Sequence, residues 1–380
     1  MLKVLTVIGA RPQIIKAAAL SRAIKSRFSK EIKEVILHTG QHYDENMSEV
    51  FFKELGIPSP NYNLKVGHIT HGKQTALMVE GIEEVLLKEK PDCVVVYGDT
   101  NSTLAAAIAA VKIHIPIVHI EAGLRSFNKR MPEEINRIAC DHCSTLLFSP
   151  TKTGYSNLVK EGFNAKNKAP FTSSNPGIYH CGDVMYDNTL HFTSVAERKS
   201  KVIDSLGLKG KDFLLLTIHR NNNTDEPTRL ESILKAVNKI SVENKVEVVF
   251  PVHPRTEKML QQQKGLLKLL KANKQFRLIP PASFLSMLQM EKYCSMVITD
   301  SGGVQKEAFF LQKPCIVLRA ETEWTELVEC GNSMLVDADS KRISDAYRKH
   351  KSTKKFSYPN IFGDGKAAEF ICKEIVRNFK

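Results

Sequence analysis

Polar and charged residues stand directly behind short apolar runs at several places in this sequence. Arg11 and Lys16 follow Lys3–Ile8, and Asp99 follows Cys93–Tyr97 within Gly98-Asp-Thr100. Glu121 opens Glu121-Ala-Gly-Leu-Arg125 after Ile115–Ile120, and His219-Arg220 follows Phe213–Ile218. Two other stretches open helical patterns: Met131-Pro-Glu-Glu-Ile-Asn-Arg137, with Glu133 and Glu134 ahead of Arg137, and Asp300-Ser-Gly-Gly303, ahead of Gln305 and Glu307. Carboxylates, a histidine and cations are what general acid–base chemistry on an anionic substrate requires. Glu121, at the edge of an apolar run, sits near a core boundary and needs a partner. Singly, Glu133 and Glu134 read as first-turn acids that complement the helix dipole, and Asp99 as a turn residue. Their recurrence at successive strand ends points instead to an active site. Ser301, Gly302 and Gly303 lead into a helix whose first N–H groups are unpaired, which suits a phosphate, although the same residues also make an ordinary helix cap.

The elements that position these residues alternate from the start. β-rich runs separated by helical patterns indicate a parallel sheet covered by helices, an α/β fold. Lys3–Ile8, Val35–Leu37, Cys93–Tyr97, Pro116–Ile120 and Leu146–Phe148 read as strands, with helices over Gln74–Lys88 and Ser102–Lys112. The pattern loosens between Thr151 and Pro176, where Gly, Asn, Pro and Ser crowd together, and a surface insertion and domain linker are expected there. A second series follows at Phe213–Ile218, Val246–Phe250, Phe276–Ile279, Met296–Thr299 and Cys315–Leu318. A chain of 380 residues suits two domains: a first over 1–176, a second over 177–365, and a final helix over 366–380. Two doubly wound halves are expected to turn their strand carboxyl ends toward a shared cleft, where open α/β sheets bind ligands.

Composition removes several alternatives. At 42% hydrophobic and 25% charged residues the chain reads as globular. No apolar run nears the roughly 20 residues of a membrane span, and MLKVLTVIGARP lacks a secretory signal's apolar segment, so the cytoplasm is the expected compartment. The 8 cysteines have no framework spacing, and Cys140-Asp-His-Cys143 lacks a second ligand pair, so neither disulfides nor a metal are expected. The net charge of +13 is spread over turn-like and helix-surface lysines without interleaved aromatics, against nucleic-acid binding. Gly67-His-Ile-Thr-His-Gly-Lys73 nearly matches a nucleotide-hydrolase phosphate loop, but Gln74 stands where the magnesium-binding hydroxyl belongs. A nicotinamide site is unsupported, because no GxGxxG follows the first strand.

The chain resembles the non-hydrolysing UDP-N-acetylglucosamine 2-epimerases across almost its whole length. The resemblance is carried by Gly9-Ala-Arg-Pro-Gln-Ile-Ile-Lys16, Thr39-Gly-Gln-His42, Tyr97-Gly-Asp-Thr100, His119-Ile-Glu-Ala-Gly-Leu-Arg125, Pro132-Glu-Glu-Ile-Asn-Arg137, His219-Arg220, Pro251-Val-His253, Asp300–Glu307 and Gly363-Asp-Gly365, in the family's order. It implies a GT-B-type fold of two Rossmann-like domains, an active site in the interdomain cleft, and a C-terminal helix that packs on the first domain. It also implies a homodimer, no cofactor, and a place in making precursors of surface polysaccharide.

The implied chemistry removes the C2 proton while UDP leaves C1, giving a 2-acetamidoglucal, then re-adds UDP with the proton on the opposite face. By resemblance Asp99, Glu121 and Glu133 are the acid–base candidates, with His219 close to the sugar and diphosphate. Carboxylates sharing a site push their proton affinities apart, so one serves as base while another keeps its proton. Arg11, Lys16, Arg137, His253, Ser301, Gly302 and Gly303 would hold the UDP-sugar, and Glu307 the ribose hydroxyls. Gln41 and His42 match part of a regulatory UDP-sugar pocket.

The Ala-Arg-Pro-Gln opening, Ser126–Pro132 and Glu321-Thr-Glu-Trp324 resemble the branch that includes UDP-2,3-diacetamido-2,3-dideoxyglucuronate 2-epimerases. Asn221-Asn-Asn223 stands where the family carries an acid after His-Arg, and Trp324 where the main branch carries an arginine, so the sugar stays open between the two. A hydrolysing epimerase, a GT-B glycosyltransferase and a non-catalytic sugar-nucleotide sensor are the rival readings.

Overall fold

The computed structural model describes residues 1–41, 52, 55–67 and 69–380. His42, one of the two candidate regulatory residues, lies outside them. In the first unit β1 (Leu2–Ile8), β2 (Ile32–His38), β3 (Tyr62–Asn63), β4 (Cys93–Tyr97), β5 (Ile117–Ile120), β6 (Leu146–Ser149) and β7 (Gly177–His180) form one sheet, ordered β3-β2-β1-β4-β5-β6-β7. Every pairing is parallel. β4 and β5 are buried at every position, which is why they read as unbroken apolar runs: helices cover both faces. The winding reverses between β1 and β4, so the segments after these two strands diverge and leave a crevice at their carboxyl ends.

The helix Asn101–Lys112 starts in that crevice. Thr100 caps it, its hydroxyl accepting from the Thr103 N–H at 3.3 Å, and Ala105, Ala106, Ala107, Ala109 and Ala110 are fully buried. Small side chains let this helix lie close to the sheet.

The second unit repeats the plan with β8 (Phe213–Thr217), β9 (Glu247–Pro251), β10 (Phe276–Ile279), β11 (Met296–Thr299), β12 (Cys315–Val317) and β13 (Ser333–Leu335), in the order β10-β9-β8-β11-β12-β13, again all parallel. Its reversal falls between β8 and β11, the strands that precede His219 and Asp300.

The units divide at places other than those expected from sequence. The first comprises Met1–Asn188 with Asn360–Lys380, the second Thr189–Pro359. The segment expected to be insertion and linker begins with a regular helix, Lys152–Lys160, whose cap Thr151 accepts from the Gly154 N–H at 3.2 Å. β7 then extends the first sheet, pairing with β6 from Gly177 to His180. The tail is tied into the same unit: the Asp187 carboxylate accepts from the N–H groups of Ala367 (3.2 Å) and Ala368 (2.8 Å), at the start of the helix Ala367–Phe379. Among the described residues no helix is long and apolar enough to cross a membrane.

Candidate active site

Behind β1, β4 and β5 the first unit gathers four of the residues singled out by sequence. Gly98 turns the chain at φ 62°, a left-handed conformation that glycine adopts without strain. A side chain there would collide with the site: a Cβ at Gly98 would stand 2.9 Å from Lys16 Nζ and 3.1 Å from Glu121 Oε2. Those two atoms form an ion pair with each other, little exposed on either side. Glu121 itself has φ 77°, unusual for a residue with a side chain, and its N–H is tied to Phe148 O at 3.0 Å. Such local strain persists only where surrounding structure enforces it, and it clusters at functional sites.

Asp99, the next residue after the glycine, pairs with Arg137 of the helix Pro132–Cys143. Arg137 is fixed from behind by Glu134, whose Oε2 accepts from Arg137 Nε at 3.0 Å. Glu134 also accepts from the N–H of Ser126 (2.9 Å), the Ser126 hydroxyl (3.1 Å) and the N–H of Phe127 (2.9 Å). The two adjacent acids therefore part ways: Glu134 is buried and organises the loop, whereas Glu133 faces solvent one position earlier.

Burial alone would raise the Glu134 pKa, but the Ser126 N–H and the Arg137 guanidinium outweigh it and hold the carboxyl below its ordinary value. A carboxyl so depressed contributes stability that is complete above its unfolded pKa of about 4.3 and is lost as pH falls through the folded value. Glu134→Gln is therefore expected to lower the thermal midpoint at pH 7, a loss of about 1–3 kcal/mol. As pH falls below about 4.3 and through the lower folded value, the gap should narrow, as melting curves between pH 3 and 7 would show. A constant gap across that range would contradict this assignment.

Several contributors went unread in the sequence. Gln13, buried in the helix Arg11–Ala23, accepts from the N–H groups of Gly9 (2.9 Å) and Ala10 (3.1 Å) and donates to Tyr97 O (3.0 Å) and Thr103 Oγ1 (2.9 Å), lacing the β1 turn to the β4 turn. Asn136 donates to Asp99 O at 2.9 Å. His119 and Asp141, both fully buried, pair at 2.7 Å beneath the Gly98 carbonyl. A polar residue inside the apolar run Ile115–Ile120 was the available signal for His119.

Arg11 is exposed at the first position of its helix. Gln41 turns inward, its Oε1 accepting from the N–H (3.1 Å) and hydroxyl (2.7 Å) of Ser102.

The second unit presents a separate set. Asp300, fully buried, accepts from the N–H of His219 (3.1 Å) and of Arg220 (3.0 Å), fixing the turn after β8. Its Oδ1 lies 3.5 Å from His219 Nδ1, and the His219 and His253 rings are 5.8 Å apart. Asn223, in the stretch that departs from the family pattern, donates to Asp300 Oδ2 at 3.2 Å and Leu318 O at 2.9 Å. Ser301 caps the helix Gly302–Phe310, with Gly302 and Gly303 in its first turn. Glu307, on the same helix, is buried; burial, then the Glu307 charge, push the carboxyl of neighbouring Glu291 well above the usual range. Trp324 is buried too, with Lys306 Nζ 4.0 Å from its ring centroid. An aromatic–cation stack thus stands at this position.

Two parallel, doubly wound sheets, each with polar groups behind the strands that flank its reversal, define a GT-B-type protein of two Rossmann-like units. A sequence model of the UDP-N-acetylglucosamine 2-epimerase family matches residues 24–376. The chain is 47% identical to the UDP-2,3-diacetamido-2,3-dideoxy-D-glucuronate 2-epimerase of Pseudomonas aeruginosa, over 99% of this chain and 100% of that one. It is 42% identical to the UDP-N-acetylglucosamine 2-epimerase of Methanocaldococcus jannaschii, over 98% of both chains. The crystal structure of the Methanocaldococcus jannaschii UDP-GlcNAc 2-epimerase in complex with UDP-GlcNAc and UDP superposes with a TM-score of 0.87, covering 99% of this chain and 100% of that one at 41% identity. The chain belongs to the UDP-N-acetylglucosamine 2-epimerase family, a family of isomerases, and the resemblance read from its motifs is borne out.

Proposed function

We propose that this protein inverts C2 of a UDP-linked 2-acetamido sugar without hydrolysis, interconverting UDP-N-acetylglucosamine and UDP-N-acetylmannosamine. The observation that carries this reading is the pair of carboxylates set around one glycine, Glu121 against Lys16 and Asp99 against Arg137. The C2 hydrogen is a poor acid, so its removal must coincide with departure of UDP from C1. One carboxylate takes the C2 proton as the C1–O bond breaks, and a 2-acetamidoglucal and UDP result. Re-addition of UDP then delivers a proton to the opposite face. Asp99, Glu121 and Glu133 are the proposed acid–base groups and His219 a proposed sugar and diphosphate contact. Arg11, Lys16, Arg137, His253, Ser301, Gly302 and Gly303 are proposed to hold the UDP-sugar; cations and helix-start N–H groups stabilise the charge growing on the leaving diphosphate. Glu307 is proposed to accept the ribose hydroxyls.

A second reading, inversion of UDP-2,3-diacetamido-2,3-dideoxyglucuronate, is supported by the higher identity to the Pseudomonas aeruginosa relative and by buried Trp324 in place of an arginine. One experiment addresses both. Each UDP-sugar is incubated with the protein in deuterated water, without acceptor, and followed by NMR. Deuterium at C2 of recovered UDP-sugar is the expected result, and the sugar that exchanges identifies the substrate. Free N-acetylmannosamine would mean hydrolysis, and unlabelled sugar throughout would leave a transferase or a sensor.

A further inference from the structure

His119 sits in the middle of β5 with no exposure, and both of its ring nitrogens are engaged. Nδ1 is 2.7 Å from Asp141 Oδ1, and Nε2 is 2.8 Å from the carbonyl oxygen of Gly98. A carbonyl and a carboxylate both only accept, so each ring nitrogen must carry a hydrogen and the imidazole is a cation. Burial opposes that charge, yet the neighbouring Cys140 and Asp141 outweigh it and hold the imidazole well above the usual histidine range. Asp141 is committed elsewhere as well: its Oδ2 accepts from Arg125 at 2.7 Å and from the Gly123 N–H at 3.1 Å, and Arg125 reaches Glu161 at 2.6 Å. An isolated buried cation is costly, and this one is retained by a chain of alternating charges that runs inward from exposed Glu161 through buried Arg125 and Asp141 and ends on the Gly98 carbonyl.

We infer that His119, held by Asp141, is a positioning residue for the epimerisation proposed above: its Nε2–H grips the Gly98 carbonyl and fixes the turn that bears Asp99 and lies against Lys16 and Glu121. The inference rests on that reading. It requires no contact between His119 and substrate and no proton transfer through the ring. The groups facing the imidazole are Asp141 and Cys140 from the helix Pro132–Cys143 and the Gly98 carbonyl from the turn after β4, with Arg125 and Glu161 acting on it through Asp141.

The test uses the full chain, UDP as the binding probe, and C2 deuterium exchange on the UDP-sugar that the unmodified protein turns over. His119→Leu removes the donor, and kcat is expected to fall by up to about 10²-fold, the effect of a misplacement near 1 Å. KM and UDP affinity should stay within about threefold, because the displaced carboxylates act chiefly in the transition state. His119→Gln restores an N–H toward Gly98 and should recover part of the loss. Asp141→Asn removes the counter-charge, so the buried imidazole should give up its proton nearer neutrality. The variant's rate should then fall as pH rises from 6 to 8, while the unmodified protein shows no such limb.

If His119→Leu does not fold, the ¹⁵N resonances of the His119 ring in the unmodified protein decide the point: a doubly protonated ring at pH 8 is expected, and a neutral one overturns the inference. Unchanged kcat in a folded His119→Leu, equal losses in kcat and UDP affinity, or a parallel pH profile for Asp141→Asn would also overturn it, leaving the epimerase reading intact. Absence of C2 exchange in the unmodified protein would instead remove the epimerase reading, and this inference with it.

Discussion

Asp99→Asn is expected to slow C2 hydrogen exchange by about 10³- to 10⁴-fold while UDP affinity changes by no more than a few-fold, the signature of a lost proton-transfer group. The substitution keeps the shape of the side chain. It also keeps the turn, because Asn136 holds the backbone carbonyl at this position and Gln13 holds Tyr97 O two residues earlier. Arg137 loses one anionic partner and retains Glu134, at 2.9 Å, so the helix Pro132–Cys143 is not left with an uncompensated buried charge. The loss is therefore expected in kcat. C2 deuterium incorporation measures the rate, and calorimetric titration with UDP measures binding. A variant weakened equally in both would place Asp99 among the ligand-holding groups.

The largest loss of stability is expected at Gly123. Its φ is 80°, and a Cβ there would stand 2.2 Å from Gly154 O and 2.8 Å from Gly154 C, which are backbone atoms of the neighbouring helix Lys152–Lys160. A long side chain can swing away from such a collision; a helix backbone cannot. The Gly123 N–H is also bound by Asp141 and its carbonyl by Asn157 at 3.0 Å, so the residue is anchored on both sides. Gly123→Ala is expected to destabilise the first unit by about 3–5 kcal/mol, in the range where core clashes and forced backbone strain fall. Urea unfolding followed by circular dichroism would register it as a lower midpoint with an unchanged slope. By contrast, alanine at Gly56 or Gly162 meets no atom within 4 Å and contends only with its positive φ, so either serves as the control.

These expectations show which parts of the molecule are readable from residue order. Asp99 and Glu121 stood out because each follows a strand buried on both faces, where an unbroken apolar run makes the first carboxylate conspicuous. Lys16 and Arg137 also show among the charged residues behind the apolar runs and in the Met131–Arg137 stretch, but their pairing with these carboxylates is not legible, since the ion pairs span 105 and 38 residues. Glu133 and Glu134 are indistinguishable as first-turn acids. Their separation into an exposed and a buried residue is set by the Ser126–Phe127 loop, whose path no local pattern announces. His119 and Asp141 meet across 22 residues, from strand to helix, a pairing that no local pattern announces. Among the described residues no group of His, Cys, Asp and Glu is arranged to hold an ion. The first unit runs on past position 176 through β7, which is four residues long and only partly buried, too short and too polar to declare itself in the sequence.

Because Asn360–Lys380 completes the unit that Met1 begins, the order of synthesis bears on folding. When Asn188 leaves the ribosome, the helix Arg11–Ala23 still lacks the helix Ala367–Phe379, whose buried face carries Ala367, Ala368, Ile371, Cys372 and Ile375. The whole of the other unit must be translated before that face arrives. The nascent first unit therefore waits with an apolar strip uncovered, the kind of surface that chaperones bind and that aggregates when it is left open.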